Sequence, residues 1–299
     1  MLQPIGIAAP VPLDREIPRR RRGRFVRALI RRPLTLFGAV IVLLFVLLAI
    51  FGSILAPHDP TQIFYTAGVT PPSPPSAAFP LGTDSTGRDV LSRVLAGARI
   101  SLTVGVAAVA IATFFGTLLG LLSGYFGGWT DQIIMRLMDV MLAFPDILLA
   151  IVIITVLGVG LTNVMIAVGI AAIPAYTRTV RAAVLAVREQ DYVEAARAFG
   201  APHWRIIISH ILRNVLTPII VLVTLSIGLA ILTAAGLSFV GLGAQPPTPE
   251  WGDMLNDAQG YLQSAWWTAV FPGAAIMIVV VGLNLLGDGL GDLLDPTTR

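Results

Sequence analysis

The chain is 299 residues long, 56% hydrophobic and only 12% charged, a balance too apolar for a soluble domain and suited to several membrane crossings. The basic side of its +3 net charge is all arginine, with no lysine, which excludes a Walker A phosphate loop and Schiff-base chemistry. The absence of cysteine excludes disulfides, thiolate metal sites and cysteine nucleophiles.

Residues 1–32 form an Arg- and Pro-rich segment that includes Arg19, Arg20, Arg21 and Arg22. Residues 33–56 then read as a first transmembrane helix. The apolar run is longer than the roughly 7–15 residues of a signal-peptide core, so it reads as retained rather than cleaved. Residues 57–80 are rich in Pro, Ser and Thr and read as an irregular aqueous segment. Residues 82–98 read as a short amphipathic helix with Val90, Leu91, Val94 and Leu95 on one side. Within it Asp84/Arg88 and Asp89/Arg93 stand at i,i+4 spacing, as pairs that support a surface helix do.

The remainder, 99–299, reads as a core domain with further spans at 99–124, 133–158, 162–186, 214–237 and 267–289, six in all. Nine arginines precede the first span, and Arg178, Arg181, Arg188, Arg197, Arg205 and Arg213 flank the loop between spans four and five. The positive-inside rule puts both regions and both termini in the cytoplasm, with 57–98 and 238–266 external. Gly105, Gly116, Gly120 and Gly124 in span two give a small-xxx-small pattern, read as a packing seam within the chain in preference to a dimer seam.

Span three carries the costly residues. Asp139 lies three residues after Arg136, which predicts a pair at the cytoplasmic boundary. Asp146 follows Pro145, which breaks the helical ladder; an intramembrane acid beside a kink is a candidate cavity-lining group. Trp251, Trp266 and Trp267 read as anchors where an external loop returns to the interface. His58, His203 and His210 are too dispersed to form a metal site, and none is expected.

The 187–213 loop is the most informative stretch. Asp191 and Glu194 have the spacing of a capping box, predicting a helix that begins at Asp191. Gly200 can end that helix in a left-handed cap, and Pro202 suits the first turn of the next. A folded helix–turn–helix on the aqueous side of a membrane protein is a knob offered to a partner.

Glu194-Ala195-Ala196, three residues and then Gly200 resemble the EAA loop of bacterial ABC importer permeases. Three wider blocks resemble the C-type subunit of the dipeptide/oligopeptide/nickel permease family: Leu81 through Arg93, Asp191 through Asn214, and Trp251-Gly252-Asp253-Met254-Leu255 with Asn284 through Leu290 and Leu293 through Pro296. Together they cover the chain from about residue 34 onward. Arg213 stands where that family commonly has proline.

The resemblance implies an all-α integral membrane protein of the type I importer permease fold, located in the bacterial plasma membrane and performing no covalent chemistry. It implies a heterodimer with a second permease, two ABC ATPase subunits that hold the ATP and Mg, and an extracytoplasmic binding protein that delivers peptide; lipid surrounds the spans and no nucleic acid is involved. Glu194, Ala195, Ala196, Phe199, Gly200 and Trp204 become the ATPase-coupling set. Glu194 serves equally as a helix-terminal charge, and Phe199 and Trp204 equally as interface anchors. Asp146 and Pro145 become candidates for the translocation path. Asp84, Arg88, Asp89 and Arg93 become candidates for an external gate or a binding-protein contact, beside their structural role. Rival readings are the same architecture importing nickel or another small solute, a secondary transporter or channel, and a membrane-embedded enzyme. The last has few catalytic groups available, and an ion-driven carrier has no ATPase to grip.

Overall fold

A computed structural model describes residues 32–64 and 70–294; the Arg-rich segment expected over 1–32 lies outside them except for Arg32, as do Asp295 and Pro296. The described residues are helical throughout their ordered elements. Helix α1 is Pro33–Leu55, α2 Val90–Phe126, α3 Gly128–Leu142, α4 Asp146–Leu157, α5 Leu161–Arg188 and α6 Asp191–Ala198. A continuous helical run His203–Phe239, α7, follows, then α8 Trp251–Ala258 and α9 Trp267–Leu294. Five of these are long and apolar enough to cross a membrane, and the count reaches the expected six where the bent pair α3 and α4 is counted as one span.

Proline opens α1 at its first helical position, where the missing N–H costs nothing. Only Thr35, Gly38, Ile41, Phe45 and Gly52 of α1 are buried. They form one stripe against α2 and α9, while Leu34, Leu43, Leu47 and Ile54 stay exposed. An apolar exposed surface of this kind suits lipid, which solvates it as well as a protein core would.

The expected division between a short 82–98 helix and a span at 99–124 is not what forms. Residues 81–89 are loop, and a single helix runs 37 residues from Val90 to Phe126. Asp89 caps it, accepting from the Ser92 N–H at 3.1 Å. At 1.5 Å per residue α2 is about 55 Å long, well beyond a ~30 Å hydrocarbon core. Gly127 and Gly128 then take positive φ (64° and 52°) and turn the chain into α3.

Span three is broken rather than kinked. Helices α3 and α4 meet at 92°, with Pro145 extended at φ −55° and ψ 138° as the cap of α4. By contrast α5 runs unbroken through Pro174.

The glycine pattern of span two is a seam within the chain, as expected. A Cβ on Gly116, Gly120 or Gly124 would stand 2.3, 2.7 or 2.8 Å from the Cβ of Tyr176, Val180 or Val184 on α5. Gly169 of α5 faces Ile111 and the Ala108 carbonyl oxygen at 2.8 and 2.9 Å in the same way. Two i,i+4 rows therefore interlock at backbone contact, and α2 with α5 is the most extensive helix pair in the fold.

Gly120→Ala should destabilise the folded chain by about 1–3 kcal/mol, because the new carbon meets both Val180 and the Thr177 backbone. Gly236→Ala on α7, where a Cβ meets nothing within 4 Å, is the matched control and should cost nothing. Thermal unfolding of the two purified variants in detergent checks the difference.

Candidate functional site

The 187–213 loop folds against the end of α2. Asp191 is the first helical residue of α6, but Gln190 stands at the cap and makes no side-chain cap bond. The expected capping box is therefore not formed. Glu194 is one residue too far along, and with Asp191 it instead places two acids in the first turn, opposite Arg197 in the last, charges that favour the helix dipole at both ends.

The C-terminus of α6 closes as the sequence predicts. Gly200 has φ +76°. Its N–H donates to the Arg197 carbonyl at 3.0 Å, and the Ala201 N–H donates to the Ala196 carbonyl at 3.0 Å, the bond pair of a Schellman motif. Pro202 lies at the cap of the following run, one position before its first turn.

Val193 is fully buried, in one cluster with Val180, Val184, Ile206, Ile211, Val215, Leu121 and Tyr125, and Ala196 and Ala201 pack on its margin. This inner face fixes the outer one. Glu194 and Ala195 are exposed, Phe199 is 91% exposed and Trp204 64% exposed. The Glu-Ala-Ala triplet is thus split: Ala196 seats the helix and Ala195 faces outward. Tyr192, which the sequence reading missed, shares the outer surface at 44% exposure and is held by Asn214, whose Nδ2 donates to its hydroxyl at 3.0 Å.

Three further contacts tie the loop to α2, all outside the sequence-based set. The Tyr125 hydroxyl and His203 Nδ1 are 2.7 Å apart. The Arg197 guanidinium carbon lies 5.9 Å over the Tyr125 ring. Arg188 Nη1 donates to the Gly124 carbonyl at 3.0 Å. Within the loop, Ile206–Leu212 is π-helical before α7 resumes α-geometry at Arg213.

The acids of span three are placed differently from expectation. Asp139 pairs with Arg178 of α5 at 2.6 Å, not with Arg136. Asp131 accepts two bonds from Arg181, at 2.5 and 2.6 Å. Asp146 is exposed at the first position of α4, where the helix dipole favours a negative charge.

At the far end of the molecule, Asp84, Arg88, Asp89 and Arg93 come together, but buried and not on a surface helix. Asp84 and Arg88 pair at 2.6 Å within a loop. Arg93 faces Asp84 at 3.5 Å instead of Asp89, which is committed to capping α2 and to His58 Nδ1 at 3.2 Å. Arg88 also donates to Asp257 of α8 at 3.0 Å, and Arg93 to the Pro247 carbonyl at 3.2 Å. The tryptophans complete this junction. Trp251 and Trp267 are core residues rather than interface anchors, donating to the Val94 and Thr83 carbonyls at 3.0 and 3.1 Å; Trp266 alone of the three is exposed.

Asp253 of α8 is buried beside this cluster, and its Oδ2 has no hydrogen-bond partner. Burial, reinforced by the neighbouring Asp257 charge and opposed by Arg93, pushes its carboxyl up to about 7 from an ordinary 3.8. A carboxyl whose folded value is raised binds its proton more tightly in the fold, so its contribution to stability falls as pH rises from 3.8 to about 7. Asp253→Asn should therefore raise the unfolding midpoint most at pH 8, by less at pH 5, and flatten the decline between them in thermal unfolding of the purified protein.

The comparisons with known proteins agree with this architecture. The model of the binding-protein-dependent transport system inner membrane component matches residues 116–299, and that of the N-terminal transmembrane domain of oligopeptide transport permease C matches residues 22–75. The chain is 51% identical over 88% of both lengths to the probable D,D-dipeptide transport system permease protein DdpC of Escherichia coli strain K12. It is 45% identical to the glutathione transport system permease protein GsiD of Pectobacterium atrosepticum, over 98% of this chain and 97% of that one. In fold it is similar to a chain of the MetNI methionine ABC transporter, with a TM-score of 0.51 at 20% identity, covering 65% of this chain and 94% of the other. With its spans, its α2–α5 seam and matches over both its N-terminal span and its core, the chain belongs to the binding-protein-dependent transport system inner membrane components, the permeases of ABC importers.

Proposed function

We propose that this chain is one of two permease subunits in an ATP-driven importer of di- and oligopeptides, and that α6 and the turn after it dock on a cytoplasmic ABC ATPase. The observation that carries the docking is the two-sided loop: Val193 sinks into the core while Tyr192, Phe199 and Trp204 project outward. Large apolar groups on a rigid polar loop are costly to leave in water and are the residue types that anchor interfaces.

Orientation follows from arginine. The loop and both termini lie on the cytoplasmic side, where positive charge is retained, and the Asp84–Arg93 junction with α8 lies outside. ATP and its Mg²⁺ sit in the partner ATPases, because this chain has no lysine for a Walker A loop. A second permease completes the pathway and an extracytoplasmic binding protein supplies the substrate. The Asp84–Arg93 junction serves as a closed external brace, and Asp146, exposed beside the break at Pro145, faces the path. The peptide substrate is supported by the relatives named for D,D-dipeptide and glutathione transport.

Two experiments test these assignments. A reconstituted complex should import a labelled dipeptide, with competition by peptides and glutathione and none by Ni²⁺; import driven by Ni²⁺ alone would replace the peptide assignment. Gly200→Val forces a β-branched residue into a left-handed conformation, at a cost of about 1–2 kcal/mol or more. No atom lies within 4 Å of a Cβ there, so the strain is confined to the turn. The variant should insert and still permit ATP hydrolysis but lose coupled transport, whereas Gly200→Asn should retain it; wild-type transport by Gly200→Val would sink the docking role.

A further inference from the structure

Three segments meet on one side chain at the cytoplasmic end. Tyr125, the penultimate residue of α2, is buried in the same cluster as Val193. The start of α7 reaches it through His203 Nδ1, 2.7 Å from its hydroxyl, with the two rings edge to face at 5.6 Å. The last turn of α6 reaches it through Arg197, over the ring face.

The alternative routes from the loop into the membrane are softer. The covalent path forward passes through the π-helical Ile206–Leu212, whose wider ladder is a poorer rod than an α-helix. The path backward passes through the Glu189–Gln190 turn. Helix α2 has neither weakness: it is α-helical for 37 residues, backed along its cytoplasmic half by α5 at backbone contact. Its far end is fixed to α8 by Trp251 and to the segment before α8 by the Arg93–Pro247 bond.

Resting on the coupling reading above, we infer that the Tyr125–His203 contact is the joint through which the coupling loop moves α2, and with it the external junction. Tyr125 and His203 are positioning residues for transport: Tyr125 is buried, and His203, though exposed, turns its Nδ1 to the Tyr125 hydroxyl. The joint holds in either protonation state of His203, since a neutral imidazole accepts from the phenol and an imidazolium donates to it.

The test is the ATP hydrolysed per peptide carried by the assembled complex in proteoliposomes. Tyr125→Phe keeps the ring, its packing and the Arg197 contact and removes only the hydroxyl. It should raise that ratio roughly three- to tenfold, the range of one lost hydrogen bond. His203→Ala should do the same, the double variant should be no worse than either single one, and His203→Asn, which returns a polar atom near the Nδ1 position, should restore coupling. Unchanged ratios in both single variants, or additive losses in the double, overturn the joint.

The chain contains no cysteine, so Tyr125→Cys with His203→Cys can be bridged by a short dithiol-specific linker as an independent measure. The unbridged pair should be uncoupled and the bridged pair should recover transport; loss of transport on bridging would mean that loop and helix move apart during the cycle and would overturn the joint. A wild-type complex that fails to assemble with ATPases or to carry peptide would instead overturn the coupling reading itself.

Discussion

The α2–α5 seam is the constraint on which the rest depends. Lipid offers no hydrophobic drive for two apolar helices to associate, so close packing must supply it. Gly116, Gly120, Gly124 and Gly169 remove the side chains that would hold the backbones apart. Once α2 is fixed to α5, the α5–α6 turn is delivered beside the end of α2, where Arg188 binds the Gly124 carbonyl and Tyr125 receives His203. At the other end the same helix presents Arg93 and the Val94 carbonyl to the segment around α8. One close approach thereby sets the geometry of both ends of the molecule.

What the sequence makes legible is what it encodes locally. The spans follow from runs of apolar residues, the seam from glycines at four-residue spacing, and the left-handed turn from Gly200 with Pro202 beyond it. The Schellman bonds at Ala196 and Arg197 need nothing from outside the loop. The misread partners share one physical origin: the local partner was available but a distant one won. Asp139 had Arg136 three residues away and took Arg178. Arg93 had Asp89 and took Asp84, because the start of α2 claimed Asp89 as its cap. Trp251 and Trp267 have the residue type of interface anchors, yet the Val94 and Thr83 carbonyls that bind their indole N–H groups lie more than 150 positions away. Tyr125 and His203 gave no signal of their own, being 78 residues apart and each ordinary in its own segment.

The two ends of the molecule differ in how readily they can yield. At the Asp84–Arg93 end, two arginines, Arg88 and Arg93, are buried with Asp84 and Asp253, and Asp257 stands half-buried beside them. Separating such a group strands charges that water cannot reach, a penalty of several kcal/mol for each broken buried pair. Burial, reinforced by the Asp257 charge, is why Asp253, left without a bond to Oδ2, holds its proton to about 7. At the loop end the Asp139–Arg178 pair is half exposed, and a pair of that kind contributes little. The same region carries the π-helical start of α7 and the glycine turn into α3. The loop end is therefore held by the weaker ties, and the Asp84–Arg93 junction, attached to α2, by the stronger. A helix about 55 Å long exceeds the ~30 Å hydrocarbon core, so the one element α2 carries the Tyr125 contact near one end and the Arg93 junction near the other.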